Sequence, residues 1–350
     1  MKGLILAGGE GRRLRPLTYS IPKQLVPVAN RPIIHYVVDQ IRRGGIVEVG
    51  VIISPHTGDQ IREALKAETG MDFTFIIQEK PLGLAHAVMT AKEFLGNDDF
   101  LMYLGDNLIG ESIGELIRSF NSENEDGIIL LKEVPDPRVF GVAVTDGNGR
   151  VIRLIEKPEE PPSKLALVGV YFFTPKIHDA IASIRPSDRG ELEITDAISV
   201  MIQNRAKIRS VLLQDFWLDT GKKDDLLAAN RLILERYGER ILTGDIEDSK
   251  IEGKVELAPG AVVRKSRITG PVVIGKDAVI TGSDIGPFTA IGSGCLIEDS
   301  RIEACLVMEL AKIKGIPCLF DSIIGKRAKV ERGKAKGQTL LIGDDAEIRL

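Results

Sequence analysis

The chain has 350 residues, enough for two domains at about 150 residues each. Its 43% hydrophobic and 27% charged residues exclude wholesale disorder. Forty-six basic and 50 acidic residues give a formal charge of −4, which argues against a surface that grips nucleic acid as a whole. No apolar run approaches the roughly 18 residues of a membrane span, and the first residues, Met-Lys-Gly-Leu-Ile-Leu, are too short for a signal peptide. Three cysteines, all after residue 290, make neither a disulfide framework nor a metal-ligand spacing. A cytoplasmic protein without a membrane partner is expected.

The first half alternates strand and helix signals. Met1–Ala7 is a short apolar run ending in glycines. Helical spacing over Pro32–Arg43 precedes the apolar run Val49–Ser54. Gly58–Glu68 reads as helix, Phe73–Gln78 as strand, Leu84–Leu95 as helix and Phe100–Gly105 as buried strand. Such alternation implies a parallel sheet covered by helices. From Gly127 the pattern shifts to strand-like segments at Gly127–Val134, Val142–Thr145, Val151–Glu156 and Leu167–Thr174, so a mixed sheet is expected. Helical spacing returns at Leu192–Gln203 and Asp224–Gly238.

After about residue 243 the text changes. Val273, Val279, Ile285, Ile291 and Ile297 recur every six residues with frequent glycine between them. That period predicts a left-handed parallel β-helix of hexapeptide repeats, three hexads to a coil, with these aliphatic leads stacked inside. Ser322–Glu331, with Ile323, Ile324 and Val330, is expected to continue the coils after an insert. The predicted division is 1–243 and 244–350. The latter part carries 16 residues of each charge sign, so it is no polyanion-binding surface by net charge.

The strongest local signal is Leu6-Ala-Gly-Gly-Glu-Gly-Arg-Arg-Leu-Arg-Pro-Leu-Thr18, where three glycines are followed by three arginines. Glycines let backbone N–H groups approach an anion or a flat base, and arginines neutralise phosphate with forked hydrogen bonds. It is not a Walker A loop, because no Gly-Lys-Ser/Thr follows. It is not a dinucleotide fingerprint, because Gly9-x-Gly11 lacks the third glycine.

Gly8-Gly-x-Gly-x-Arg-Leu-x-Pro16 followed by Pro22-Lys-Gln-Leu-x-Pro27 resembles the sugar-1-phosphate nucleotidylyltransferases. Lys23-Gln24-Leu25 is most similar to the glucose-1-phosphate thymidylyltransferases. The resemblance continues, in family order, at Gln78-Glu-Lys-Pro-Leu-Gly-Leu-Ala85, Leu104-Gly-Asp-Asn107, Phe140-Gly-Val142, Ile155-Glu-Lys-Pro158, Val168-Gly-Val-Tyr-Phe172, Arg189-Gly-Glu-Leu-Glu-Ile-Thr-Asp196 and Trp217-Leu-Asp-Thr-Gly221. It spans about residues 1–240. The β-helical tail resembles the long form of the thymidylyltransferases. The fold it implies is α/β: a Rossmann-like nucleotidyltransferase domain with a mixed central sheet, followed by the β-helix.

The implied reaction is attack of a sugar-1-phosphate oxygen on the α-phosphorus of a nucleoside triphosphate, with pyrophosphate leaving. The reactants repel each other, so positioning and charge neutralisation supply most of the catalysis. By resemblance, Arg13, Lys23 and Asp106 are catalytic. Asp106 and Asp219 hold one Mg²⁺, a cation suited to few protein carboxylates plus phosphate oxygens and water. Taken alone, an Asp-Asn after a strand is more often a turn or cap. Gly8, Gly9, Gly11, Arg13, Gln78 and Gly83 bind the nucleotide, and a glutamine amide can pair with the donor–acceptor edge of thymine or uracil. Asn107, Gly141, Glu156, Lys157 and Arg189 bind the sugar phosphate. One departure stands in the base-reading segment: Leu82 replaces a usual polar residue, and His86 follows. A thymine methyl is worth only about 1 kcal/mol, so dTTP and UTP stay close rivals.

The expected partners are dTTP or UTP, glucose 1-phosphate and further copies of the chain. Other readings are a UTP-using or other-hexose enzyme, a non-catalytic sugar-nucleotide-binding subunit, and a bifunctional enzyme with an acetyltransferase tail. Arg13, Lys23, Asp106 and Asp219 are all present, which weighs against the binding-only subunit. The four histidines, His35, His56, His86 and His178, all precede the tail, which weighs against an acetyltransferase needing a histidine base.

Overall fold

The computed structural model describes residues 1–122 and 125–333. Contacts divide the chain into two units. The first comprises Met1–Glu10, Ile21–Leu25 and Ile33–Asp219; the second comprises Gly11–Ser20, Val26–Pro32 and Thr220–Leu350.

The first unit is built on a nine-stranded sheet. Its strands are β1 (Lys2–Leu6), β2 (Glu48–Ile53), β3 (Asp72–Ile77), β4 (Phe100–Leu104), β5 (Gly127–Glu133), β6 (Gly141–Thr145), β7 (Val151–Glu156), β8 (Leu165–Phe173) and β9 (Ile208–Leu212). The order is β7-β6-β8-β4-β1-β2-β3, with β5 also on β8 and β9 on β5. β1 runs parallel to β2 and β4, and β2 parallel to β3. β8 is antiparallel to β4, β5 and β6, so the sheet is mixed, as the change of pattern at Gly127 implied. β9 was not predicted. Its sequence Ile-Arg-Ser-Val-Leu is too polar to read as a buried run; β5 is its strand partner, and on the other side it makes an isolated bridge from Arg209 to Arg150.

Successive side chains of a strand point to opposite faces. Leu4, Leu6, Phe100, Met102, Ile129 and Leu131 accordingly join one core, and Ile5, Leu101, Tyr103, Ile128 and Leu130 join another. Both faces are covered, which is why these strands read as unbroken apolar runs. The helix α1 (Ile33–Arg43) inserts Ile34, Val37, Val38 and Ile41, spaced i, i+3, i+4, i+7, into the second core. The helix expected over Leu84–Leu95 is interrupted at the buried Ala91, giving α2 (Leu84–Thr90) and α3 (Lys92–Leu95).

The second unit holds three stacks of short parallel strands, of six, six and five members, the faces of the β-helix. The repeat differs from the predicted one. Val255 pairs with Val272, Val262 with Val279 and Arg267 with Asp284, so these coils have seventeen residues rather than eighteen, and the coil that pairs Ala290 with Leu306 and Ile297 with Ile313 has sixteen. The buried column runs Leu257, Val263, Ile268, Ile274, Ile280, Ile285, Ile291, Ile297, Ile302, with steps of six, five and six. The phase expected from the hexads is therefore wrong at two places: Val273 and Val279 are only partly buried, and Ile274 and Ile280 fill the interior. The short step from Ile280 to Ile285 made the other phase look regular. No insert precedes Ser322–Glu331. Leu306 pairs with Ile323 and Ile313 with Val330, in the same seventeen-residue register.

A period missed in the sequence makes the same point. Ser249, Ser266, Ser283 and Ser300 stack seventeen residues apart. Each hydroxyl accepts the backbone N–H of the residue one coil later, at 3.0–3.1 Å, and donates to the carbonyl two residues before it. Left-handed backbone recurs at another corner, at Gly260, Asp277, Gly294, Leu310 and Arg327. Outside these coils, Asn230 of the helix α4 (Lys223–Tyr237) accepts from Ala29 N and donates to Phe288 O at 2.8 Å.

Candidate active site

The sheet sets the first part of the site. Leu6 and Leu104 are register partners, so the glycine loop after β1 and Gly105-Asp106-Asn107 after β4 leave the carboxyl ends of adjacent parallel strands. Open α/β sheets bind ligands at such ends. Asp106 is buried, and its carboxylate forms an ion pair with Lys23 Nζ. A β-carbon on Gly9 would lie 3.8 Å from Lys23 Cε, so the loop runs directly beside that ammonium. Asn107 Nδ2 donates to Asp106 Oδ1 at 3.2 Å, while its Oδ1 accepts Trp217 Nε1 at 2.6 Å and Gly169 N at 3.3 Å. The short ribbon of Asn107–Ile109 with Trp217–Asp219 pairs Asp219 with Asn107, one residue from Asp106. Lys23, Asp106, Asn107, Asp219, Gly8 and Gly9 thus gather at one end of the sheet.

The preceding stretch of ribbon is tied from two sides. Lys132 Nζ donates to the carbonyls of Leu213, Gln214 and Asp215 at 2.8–3.2 Å. Glu111 Oε1 accepts the amides of Gln214 and Asp215.

A second group surrounds Gln78. Its backbone N–H donates to Ile53 O at 2.9 Å, continuing the pairing of β3 with β2. The buried side chain places Nε2 2.8 Å from His86 Nδ1, and its Oε1 faces Gly8, where a β-carbon would come within 3.2 Å of it. Burial pushes the His86 pKa below its ordinary value, because desolvation disfavours the charged ring. Gly83 has φ +105°, and a β-carbon there would meet Leu192 O at 2.4 Å, so only glycine fits. Ala85 N donates to Leu192 O and Leu192 N donates to Leu82 O, which stitches this segment to the chain after Arg189.

A third group lies around Glu156. Thr195 Oγ1 donates to Glu156 Oε2 at 3.2 Å, and Arg189 Nη1 reaches Oε1 at 3.3 Å. Lys157 Nζ is 3.5 Å from Glu156 Oε1. Gly141 abuts Glu156 Oε2 and Thr195, so a side chain there would fill the space beside the carboxylate. Arg189 also pairs with Glu191 and Glu193, so three carboxylates hold this guanidinium. Burial, joined by the Glu156 charge, raises the pKa of Glu193 and of Asp196.

Gly11 and Arg13 belong to the second unit. There Gly11 takes φ +64°, Thr18 Oγ1 closes the loop onto Gly11 O at 2.7 Å, Leu14 is buried and Arg13 is exposed. Four side chains that sequence reasoning left without a part contact these groups: Trp217, Thr195, His86 and Gln24. Gln24 is 1% exposed, follows Lys23 and packs its Cγ within 3.1 Å of a β-carbon built on Gly105. Its signal was its place between two prolines beside a lysine, where a buried amide is out of place unless it is used.

The nucleotidyl transferase family profile matches residues 2–236, and a GMPPB C-terminal domain profile matches residues 268–349. A glucose-1-phosphate thymidylyltransferase of Streptomyces griseus is 43% identical over 100% of this chain and 99% of its own length. One of Streptomyces antibioticus is 44% identical with the same coverage. A Bacillus anthracis crystal structure assigned as a glucose-1-phosphate thymidylyltransferase superimposes with TM-score 0.62, at 35% identity, covering 66% of this chain and 94% of that one. With a family profile over two thirds of its length and full-length relatives above 40% identity, the chain belongs to the nucleotidyl transferase family.

Proposed function

We propose that this protein transfers a thymidylyl group from dTTP to glucose 1-phosphate, giving dTDP-glucose and pyrophosphate. The observation that carries the reading is the full-length identity to two proteins of that name, extending through the β-helix. Gly8, Gly9, Gly11, Gln78 and Gly83 receive the nucleotide. Arg13 and Lys23 bring positive charge to the reacting phosphates, and neither gives up a proton. Asn107, Gly141, Glu156, Lys157 and Arg189 receive the sugar phosphate, the Glu156 carboxylate accepting from its hydroxyls.

Asp106 and Asp219 fit Mg²⁺ by their chemistry: two hard oxygen donors one ribbon register apart, beside phosphate-binding cations. Two protein carboxylates are a sparse donor set of the kind that suits a cation completed by phosphate oxygens and water. When bound, Mg²⁺ neutralises phosphate charge. Lys23 holds the Asp106 carboxylate in place and supplies a second positive charge beside it. In the same reading, residues 1–243 carry the chemistry and 244–350 assemble the chain into a homo-oligomer in the cytoplasm.

The test is a pyrophosphate-release matrix pairing each nucleoside triphosphate with several sugar 1-phosphates, with and without Mg²⁺. The expected result is the highest kcat/KM for dTTP with glucose 1-phosphate, dependent on Mg²⁺. A clear preference for UTP, or for another sugar phosphate, would replace the substrate assignment.

A further inference from the structure

We propose that Trp217 is a positioning residue for the metal pair: its indole N–H sets the Asn107 amide, and that amide holds the Asp106 carboxylate in the attitude in which it and Asp219 take up Mg²⁺. The proposal rests on the reading of Asp106 and Asp219 as the Mg²⁺ ligands, and adds what keeps the first of them in place.

An asparagine amide is nearly symmetric in shape, and a half-turn exchanges its oxygen and its NH₂. Here the partners leave one choice. Asn107 Oδ1 meets Trp217 Nε1 at 2.6 Å and Gly169 N at 3.3 Å. An indole N–H and a backbone N–H can only donate. Turning the amide would set its NH₂ against both of them and its oxygen against the Asp106 carboxylate. Asn107 is 2% exposed, so water cannot relieve either conflict. Nδ2 therefore faces Asp106, where it donates to Oδ1 at 3.2 Å. Lys23 Nζ holds the other oxygen, Oδ2. The carboxylate is gripped at both oxygens, and a partial turn about its Cβ–Cγ bond would stretch both contacts.

The ribbon builds this arrangement. Trp217 pairs with Ile109 and Asp219 with Asn107, so Trp217 and Asn107 are diagonal neighbours, within reach of a long aromatic side chain. Trp217 and Asp219 are two residues apart and share one face. One three-residue strand thus carries one carboxylate and the N–H that aligns the other. The Phe140 ring steadies the indole, with centroids 4.9 Å apart and planes tilted by 57°. Gly169 lets the amide come close, since a β-carbon there would lie 2.9 Å from Asn107 Oδ1. Without the indole N–H, the longer Gly169 bond would hold the amide oxygen alone. Groups that orient a metal ligand in this way typically contribute about ten- to a hundredfold in metal affinity.

The test titrates Mn²⁺, a spectroscopic stand-in for Mg²⁺, into the full chain saturated with dTDP-glucose. Pyrophosphate is left out, so no turnover occurs, and electron paramagnetic resonance follows the free ion. Trp217→Phe keeps an aromatic ring against Phe140 and removes the N–H. It is expected to weaken Mn²⁺ binding about tenfold. Asn107→Ala is expected to weaken it at least as much. The double variant is expected to lose no more than Asn107→Ala alone, because Trp217 acts through that amide. Wild-type Mn²⁺ affinity in Trp217→Phe overturns the positioning role. Losses that simply add in the double variant overturn its route through Asn107. If Trp217→Phe does not fold, Asn107→Ala decides, and wild-type affinity there overturns the proposal. Asp106→Asn separates the proposal from the reading beneath it. Unchanged Mn²⁺ binding in Asp106→Asn overturns Asp106 as a metal ligand, and the proposal with it. Lost binding there, beside wild-type binding in Trp217→Phe, leaves the metal pair standing and overturns the role of Trp217 alone.

Discussion

The two units use the same residue types for different ends. In the first, Gly8 and Gly9 leave room beside Gln78 and Lys23, and Asp106 is buried against an ammonium. In the second, Gly260 and Gly294 alternate with Asp277 down a column of left-handed corners, and the serines cap one coil with the next. In the β-helix a glycine or aspartate answers a demand of backbone geometry, and its place is fixed by a period. At the sheet's end it answers a demand of space or charge, and its place is fixed by the ends of strands far apart in sequence. A substitution should therefore separate the units cleanly: chemistry lost with the fold kept in one, the fold weakened with chemistry kept in the other.

The largest expected effect is in the first unit. Lys23→Ala or Asp106→Asn should leave a folded protein with turnover reduced about a hundredfold or more, roughly the 3 kcal/mol of one preorganised electrostatic contact. Circular dichroism and steady-state pyrophosphate release check it. Near-normal turnover in both variants would sink the assignment of this pair.

The next effect is on stability, and it tests the phase of the coils. Ile280 is fully buried in the prism, whereas Val279 is partly exposed. Ile280→Ala should cost about 2–4 kcal/mol through lost burial and the cavity left behind. Val279→Ala should cost less than about 1 kcal/mol. Chemical denaturation of both variants, with kcat measured alongside, decides it: equal losses would restore the six-residue phase.

A smaller loss is expected from the serine column. Ser283 Oγ accepts the N–H of the buried Ser300 at 3.1 Å and donates to Thr281 O. Ser283→Ala strands that amide, at about 1–3 kcal/mol. Ser283→Thr, which keeps the hydroxyl, should recover part of it. A hydrogen-exchange rate at the Ser300 amide that does not rise in Ser283→Ala would show that the column is dispensable.

These cases also mark what the sequence made legible. The alternation of Leu4, Ile5 and Leu6, and the unbroken run Phe100–Leu104, announced a doubly covered sheet, because burial on both faces leaves no polar position. The β-helix was legible as a class. Its exact repeat was not, because an aliphatic pair such as Val279-Ile280 lets either member stand as the interior one, and pairing between coils decides. At the site, the glycine loop and the Asp-Asn after β4 stood out as motifs, and the register of Leu6 with Leu104 explains why they meet. The contacts of Trp217 with Asn107 and of Thr195 with Glu156 join residues 110 and 39 positions apart, which no local pattern encodes.

The smallest predicted effect depends on pH and again divides the units. Residues 244–350 contain no histidine, while the first unit buries His178 against the Phe100 ring, with centroids 6.1 Å apart. Burial, joined by the Lys92 charge and opposed by Asp179, lowers the His178 pKa below its ordinary value. Its ring Nε2 has no hydrogen-bond partner among the described residues. The unfolded chain, with a histidine pKa of about 6.5, therefore takes up a proton that the folded one resists. Stability from this group is complete above that value and is lost as pH falls toward the lower folded-state pKa. Glu193 and Asp196, raised by burial, act with the opposite sign, since acid relieves their burial as carboxylates. His178→Leu should therefore shrink the loss of stability between about pH 7.5 and pH 5.5 relative to wild type. Trp217, the only tryptophan, reports unfolding of the first unit by fluorescence. An acid-induced loss as large in His178→Leu as in wild type would place the sensitivity elsewhere, with His86, whose pKa is lowered in the same direction, the next residue to replace.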